Sequence, residues 1–382
     1  MDNMTKGFRF IGTGRGADLD ARLSDINPWG GSLGPWRPGE GRPAVEDETA
    51  REHPAGYRAG SDLVDAVNTA LILGKPLLVT GNPGTGKTQL AERVAWEFNL
   101  GPVLRFEAQS LSEANDLFYR FDLVGHVAAS HTARPAAAGD PPSADARQFI
   151  DFGVLGKAIL RTDPGNPNHA DLFGLAFPEP TVARNASPSV VLIDEIDKAS
   201  RDFPNDLLNG IERLEFSLKE LRNRPVRVAD DPGMKPIVVV TSNSERELPA
   251  PFLRRCVYCH IPDPDERELR EIVRVRVFPE TLAGGGQTGL GKAGAPLPRL
   301  FEDLLGAFLL RRQSDQASAY PIGPSELINW SQAVRRDVGD AAASGGIREH
   351  GAAVKRALGA FVKHRDDRQP VLDLLARQFN LA

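Results

Sequence analysis

The chain has 382 residues, enough for two domains of ordinary size and a tail. Its hydrophobic fraction of 41% and charged fraction of 25% are those of a globular protein, and no apolar run approaches the ~20 residues that span a bilayer. A net charge of −5 gives no support for a nucleic-acid partner, although a local basic patch stays open, and two cysteines, Cys256 and Cys259, cannot build a disulfide framework. With no apolar signal core near the N-terminus, a reducing cytoplasm is the expected compartment.

Residues 1–50 are rich in Gly, Pro, Arg and Trp and read as a flexible extension. The alternative is that Trp29 and Trp36 anchor it to a neighbouring subunit. A helix follows, with Ser61 as N-cap, Leu63, Val64, Val67, Ala70 and Leu71 on its apolar face, and Gly74 and Pro76 at its end. Leu77-Leu78-Val79-Thr80 is a buried strand. The next helix carries Leu90, Val94, Ala95 and Phe98, and Val103–Phe106 is a second strand.

Residues 112–186 interrupt this alternation and read as an insertion, the kind of segment that often carries partner contacts. Within it, His131–Ala146 is expected to be a surface loop and Phe149–Leu160 a helix. His126 and His131 show no ligand spacing and read as surface residues. Further strands are Ser189–Ile193, Ile237–Val240 and Cys256–Ile261, with a helix marked by Leu207, Leu208, Ile211 and Leu214 between the first two. After Pro262 the pattern turns helical, broken by a Gly/Pro loop at Glu280–Pro298, and no internal repeat is present. The domains are therefore expected at 1–50 (extension), 51–262 (α/β, nucleotide-binding) and 263–382 (all-α lid and C-terminal helices).

The chemistry sits at strand ends. Gly81-Asn82-Pro83-Gly84-Thr85-Gly86-Lys87-Thr88, continued by Gln89, has the spacing G-x-x-x-x-G-K-T between a strand and a helix. Its glycines let backbone N–H groups converge on phosphate oxygens, Lys87 reaches the β- and γ-phosphates, and Thr88 places its hydroxyl on Mg²⁺. In a parallel sheet the strand C-termini share one edge. Asp194 there is the second metal residue, Glu195 the base for the attacking water, and Asn243 a hydrogen-bonding partner for that water or the γ-phosphate. Arg254 and Arg255, before the last strand, stand to serve a neighbour's γ-phosphate. Cys256-Val257-Tyr258-Cys259-His260 matches the haem attachment spacing, but a strand explains it better.

Taken together, these residues resemble an AAA+ ATPase, and within that group the MoxR-type family. Walker A matches Gly81–Thr88, Walker B matches Val191–Glu195, sensor 1 is similar at Asn243, and the arginine-finger segment looks like Leu248–Cys256, with Arg255 as finger and Arg254 as second choice. The resemblance covers about residues 51–340. It implies a five-stranded parallel sheet flanked by helices, a helical lid, ATP and Mg²⁺ as cofactors, and a ring, commonly hexameric. It also implies chaperone-like remodelling of a protein client, commonly beside a von Willebrand A domain partner. The chain departs from the family at its second sensor, where Glu326 stands in place of arginine; Arg335 and Arg336 are the candidate substitutes. Two other readings stay open: an NTP-driven nucleic-acid motor or loader, and a slow nucleotide switch or scaffold. The base pocket is not defined by these motifs, and Tyr57 is the one candidate at its edge.

Overall fold

Strand β5 (Val190–Asp194) is buried at all five positions. Such an unbroken apolar run suits a strand covered on both faces. It pairs in parallel with β8 (Ile237–Ser242) on one side and β2 (Leu104–Glu107) on the other. Strand β1 (Leu77–Gly81) pairs in parallel with β8, and β9 (Val257–Ile261) completes the five-stranded parallel sheet in the order β2-β5-β8-β1-β9. This computed structural model describes residues 10, 54, 57–132, 144–178, 186–278, 296–314, 322–339 and 344–381. Trp29 and Trp36, most of the 1–50 extension, the middle of the His131–Ala146 loop and nearly all of the Glu280–Pro298 loop lie outside the described residues.

Helices flank the sheet. Helix α1 (Ser61–Leu73) precedes β1, and Gly74 ends it at φ 58° with its N–H bonded back to the last turn. Its N-cap is Gly60 rather than the expected Ser61, whose hydroxyl instead donates to the Asp62 carboxylate at 3.2 Å. Asn68 on α1 holds Phe10 from both sides. Its Oδ1 accepts the Phe10 N–H and its Nδ2 donates to the Phe10 carbonyl, both at 3.0 Å, and the Phe10 side chain is fully buried. Helix α2 (Lys87–Phe98) packs on β5 and β8.

The insertion is structured. Strands β3 (Tyr119–Phe121) and β4 (Ile150–Phe152) form an antiparallel pair, with α3 (Leu123–Thr132) between them in sequence. Helix α4 (Val154–Thr162) packs on β2 and β5, and α5 (Ala170–Ala176) packs on α4. The helix expected over Phe149–Leu160 is thus a strand followed by a helix. Ile150 and Phe152 are buried while Asp151 is exposed, a period of two that ends at Gly153. Gly156 permits the close approach that follows, since a Cβ there would collide with the Phe118 carbonyl. Leu123 and Val124 on α3 stay 62% and 80% exposed.

After α6 (Phe203–Arg213) a second antiparallel pair appears, β6 (Glu215–Leu218) with β7 (Arg224–Arg227). Arg222 and Asn223 make its turn at φ 59° and 56°. The Phe216 ring lies 5.5 Å from that of Phe118, and the Tyr119 hydroxyl donates to the Ser217 carbonyl at 3.3 Å, so the two hairpins are joined. Short α7 (Ala250–Leu253) leads into β9.

The described residues fall into two units, one holding Phe10, Ala59–Thr80 and Lys87–His260, the other Pro54, Tyr57, Arg58, Gly81–Gly86 and the chain from Ile261 on. The second unit is helical: α8 (Glu266–Val277), α9 (Arg299–Ser314), α10 (Pro324–Val338), α11 (Gly351–Arg356), α12 (Leu358–Phe361) and α13 (Arg368–Phe379). Asp265 and Glu268 close a capping box on α8, each side chain accepting the other's backbone N–H. Trp330 of α10, fully buried, stacks on Phe361 at 4.4 Å among Leu304, Phe308 and Leu327. Among the described residues no helix is long and apolar enough to cross a membrane.

Candidate active site

The register of the sheet brings the acidic residues into place. Ile193 lies beside Val240, so Asp194, one residue on, comes level with Thr241. Asp194 is 3% exposed, and its carboxylate accepts from three side chains. Thr241 Oγ1 donates to Oδ1 at 2.5 Å, Thr88 Oγ1 donates to Oδ1 at 3.0 Å, and Arg105 Nη2 from β2 reaches Oδ2 at 2.7 Å. A buried carboxylate is stable only when it is paired in this manner.

Glu195 follows in the left-handed region, φ 55° and ψ 49°, a conformation uncommon for a non-glycine residue. Its N–H donates to Thr241 Oγ1 at 2.9 Å, which fixes the turn. Asn243 Nδ2 donates to Glu195 Oε1 at 3.1 Å, and Lys198 Nζ pairs with Oε2. The Lys198 ammonium, and after it Asn243, hold the Glu195 carboxyl below its ordinary range against the opposing effect of burial. Asp197, 3% exposed, accepts the backbone N–H groups of Asn243 at 3.3 Å and Glu245 at 2.9 Å, so it sets the turn on which Asn243 stands.

Lys87 is buried at the N-terminus of α2, and desolvation lowers its ammonium's pKa while Asp194, Asp197 and Glu195 act to raise it. The loop before it needs its glycines, since Gly84 and Gly86 have φ of 81° and 88°. Within the loop, the Thr85 hydroxyl donates to the Asn82 carbonyl at 2.8 Å, and Asn82, Pro83 and Gly84 are exposed, as is Gln89 on α2.

Thr88, Asp194, Glu195 and Asn243, expected from the sequence, are thus joined by a continuous set of hydrogen bonds. Arg254 and Arg255 are not part of it: among the described residues Arg255 Nε pairs with Glu212 of α6 at 2.5 Å, and Arg254 is exposed with no acidic partner. Tyr57 is buried, and its N–H donates to the Pro54 carbonyl at 3.0 Å. Thr241, Asp197, Lys198 and Arg105 are additional members. Sheet register points to Thr241, and the three-residue spacing from Glu195 points to Lys198; no sequence signal marks Arg105.

Residues 76–256 match the family described as AAA domain (dynein-related subfamily). This stretch is an AAA domain. The match ends at the arginine pair and leaves the helical unit outside it. No curated protein sequence matches the chain. Among solved structures, two point mutants of Thermotoga maritima RuvB are similar, at 15% and 14% identity and TM-scores of 0.41 and 0.42. They cover 84% of this chain and 75% and 76% of their own.

The AAA domain implies a bound nucleotide, with Mg²⁺ usual, and the residues fit. Thr88 and Asp194 set a hydroxyl and a carboxylate side by side, the oxygen donors that a hard cation takes. A buried lysine and a helix N-terminus suit a polyphosphate.

Proposed function

We propose that this chain is an ATPase that remodels a protein partner from within a ring, in the manner of the MoxR-type proteins it resembles. The observation that carries the ATPase reading is the joined set Thr88–Asp194–Thr241–Glu195–Asn243. Magnesium-bound ATP, when present, supplies the electrophilic phosphorus and the charge of the metal. The loop N–H groups and the N-terminus of α2 bind phosphate oxygens, with Lys87 as the cation among them. Thr88 and Asp194 are the residues that would hold the metal. Glu195 takes the proton of the attacking water at Oε2, since Asn243 holds Oε1 and so orients the carboxylate.

AAA+ proteins commonly form ring oligomers, and an arginine delivered by a neighbouring subunit would complete the site. A protein client, or a partner with a von Willebrand A domain, is supported by the exposed apolar residues Leu123 and Val124 on the insertion. A cytoplasmic setting and the three-part domain division at 1–50, 51–262 and 263–382 belong to the same proposal.

The test is Glu195→Gln in the full chain. ATP binding is expected to persist and turnover to fall by a factor of 10² or more, the scale of general-base catalysis. Wild-type turnover by this variant would refute the role of Glu195. Affinity isolation of the same variant with ATP reports ring and partner together.

A further inference from the structure

The base of the proposed reaction is engaged at both of its oxygens. Asn243 Nδ2 donates to Oε1 at 3.1 Å, and the Lys198 ammonium sits on Oε2. The contact arises from local geometry. Ile196–Lys198 is a single 3₁₀ turn in which the Lys198 N–H bonds to the Glu195 carbonyl at 2.9 Å, and i and i+3 side chains eclipse in such a turn. Glu195, at positive φ and tied to Thr241 through its own N–H, has little backbone freedom to escape. The two partners of the carboxylate differ. Asn243 is neutral and stands on a turn held by Asp197, so it orients. Lys198 is charged, 45% exposed and mobile at four torsions, so it can leave.

An ammonium seated on Oε2 occupies a lone pair that an attacking water would otherwise meet. Asn243 and Lys198 each take up one side of the carboxylate, and of the two only Lys198 is free to leave.

We propose that Lys198 is a positioning residue that latches Glu195 in a resting orientation and restrains basal ATP hydrolysis, and that turnover requires this ammonium to swing off Oε2. The proposal rests on the reading of Glu195 as the base. It concerns a residue one turn beyond the Asp194-Glu195 pair, which that reading does not use.

The experiment measures steady-state ATP hydrolysis by the full chain for Lys198→Ala, Lys198→Gln and Lys198→Arg, beside Glu195→Gln and the double variant Lys198→Ala/Glu195→Gln. Lys198→Ala and Lys198→Gln are expected to raise kcat about two- to fivefold, the scale set by an exposed ion pair, with KM for ATP unchanged. Lys198→Arg, which keeps a cation over Oε2, is expected to stay near wild type, and the double variant to be inactive. Unchanged or lowered kcat in Lys198→Ala and Lys198→Gln, with KM for ATP held, overturns the latch. A rise that persists in the double variant overturns it as well, because the effect would then not pass through Glu195. Turnover by Glu195→Gln alone instead overturns the base reading, so the two failures are distinguishable. A merely structural lysine would shift KM and thermal stability together and would not raise kcat.

Discussion

Thr241→Val removes one oxygen and keeps the shape of the side chain. That oxygen is fully buried, accepts the Glu195 N–H at 2.9 Å and donates to Asp194 Oδ1 at 2.5 Å. A hydrogen bond to a charged acceptor contributes about 1.5–3 kcal/mol, and a buried N–H left without a partner costs about 1–3 kcal/mol. The two bonds share an atom, so their sum overcounts, and a destabilisation of about 2–4 kcal/mol is expected. The same change frees Glu195 from its left-handed turn and is expected to lower kcat about tenfold, the equivalent of about 1.4 kcal/mol in the barrier. Urea unfolding followed by circular dichroism gives the first quantity and steady-state hydrolysis the second. Thr241→Ser is the control, since it keeps the hydroxyl and loses one methyl, about 1 kcal/mol. If the valine variant unfolds within about 0.5 kcal/mol of wild type and hydrolyses ATP at the wild-type rate, the hydroxyl does not organise the site.

Arg254 and Arg255 separate by their surroundings. Arg255 is bound to Glu212 within its own subunit, so Arg254→Ala mixed with active subunits is expected to lower turnover more than in proportion to its fraction, and Arg255→Ala to do so less. A nonlinear fall with Arg255→Ala alone refutes this ordering. Asp171 gives a pH-dependent contribution. Arg224 donates to both its oxygens, at 2.7 and 3.0 Å, and holds its carboxyl down at about 2. A depressed folded pKa stabilises fully above the unfolded value of about 3.9 and is lost as pH falls through the folded one. Asp171→Asn should therefore be less stable than wild type at pH 5–7, by under about 1 kcal/mol given the exposure of the pair, and converge on it as pH falls below 2. A stability gap undiminished at pH 2 would assign the effect to shape rather than charge.

How much of this was legible in the sequence depended on the length of the signal. Strands β5 and β8 are continuous apolar runs, and a long run of that kind has few alternatives. The phosphate loop is a spacing that names its own backbone, and Asp194, Glu195 and Asn243 follow from the shared edge of a parallel sheet. Strands β3 and β4 are three residues each, too short for a period of two to stand out, and their partner lies across an intervening helix. Hairpin β6–β7 turns on Arg222 and Asn223, and an arginine at positive φ gives no turn signal. Thr241 and Asp197 look like ordinary residues next to a motif. Only the pairing of Ile193 with Val240 shows that a buried hydroxyl falls against a buried carboxylate. Ser61 failed as a cap because Gly60, extended at φ −67° and ψ 163°, takes that position and leaves Ser61 as the first helical residue.

Glu326, at the position where the family resemblance implies an arginine, takes part in a local hydrogen bond. A carboxylate in a position expected to hold arginine suggests repulsion of a γ-phosphate. Its Oε2 instead accepts the N–H of Gly323 at 2.9 Å, while the Glu326 N–H donates to the Gly323 carbonyl at 3.1 Å. Glu326 is therefore the third residue of α10 closing that helix's own first turn, where an acid is also favoured by the helix dipole. Arg335 lays its guanidinium over the Phe278 ring at 4.4 Å, and Arg336 is exposed. The helical unit thus uses one of the three candidates as a cap and another in its packing. Glu326→Arg is therefore expected to remove a side-chain bond from the first turn of α10 and to cost about 0.3–1.5 kcal/mol.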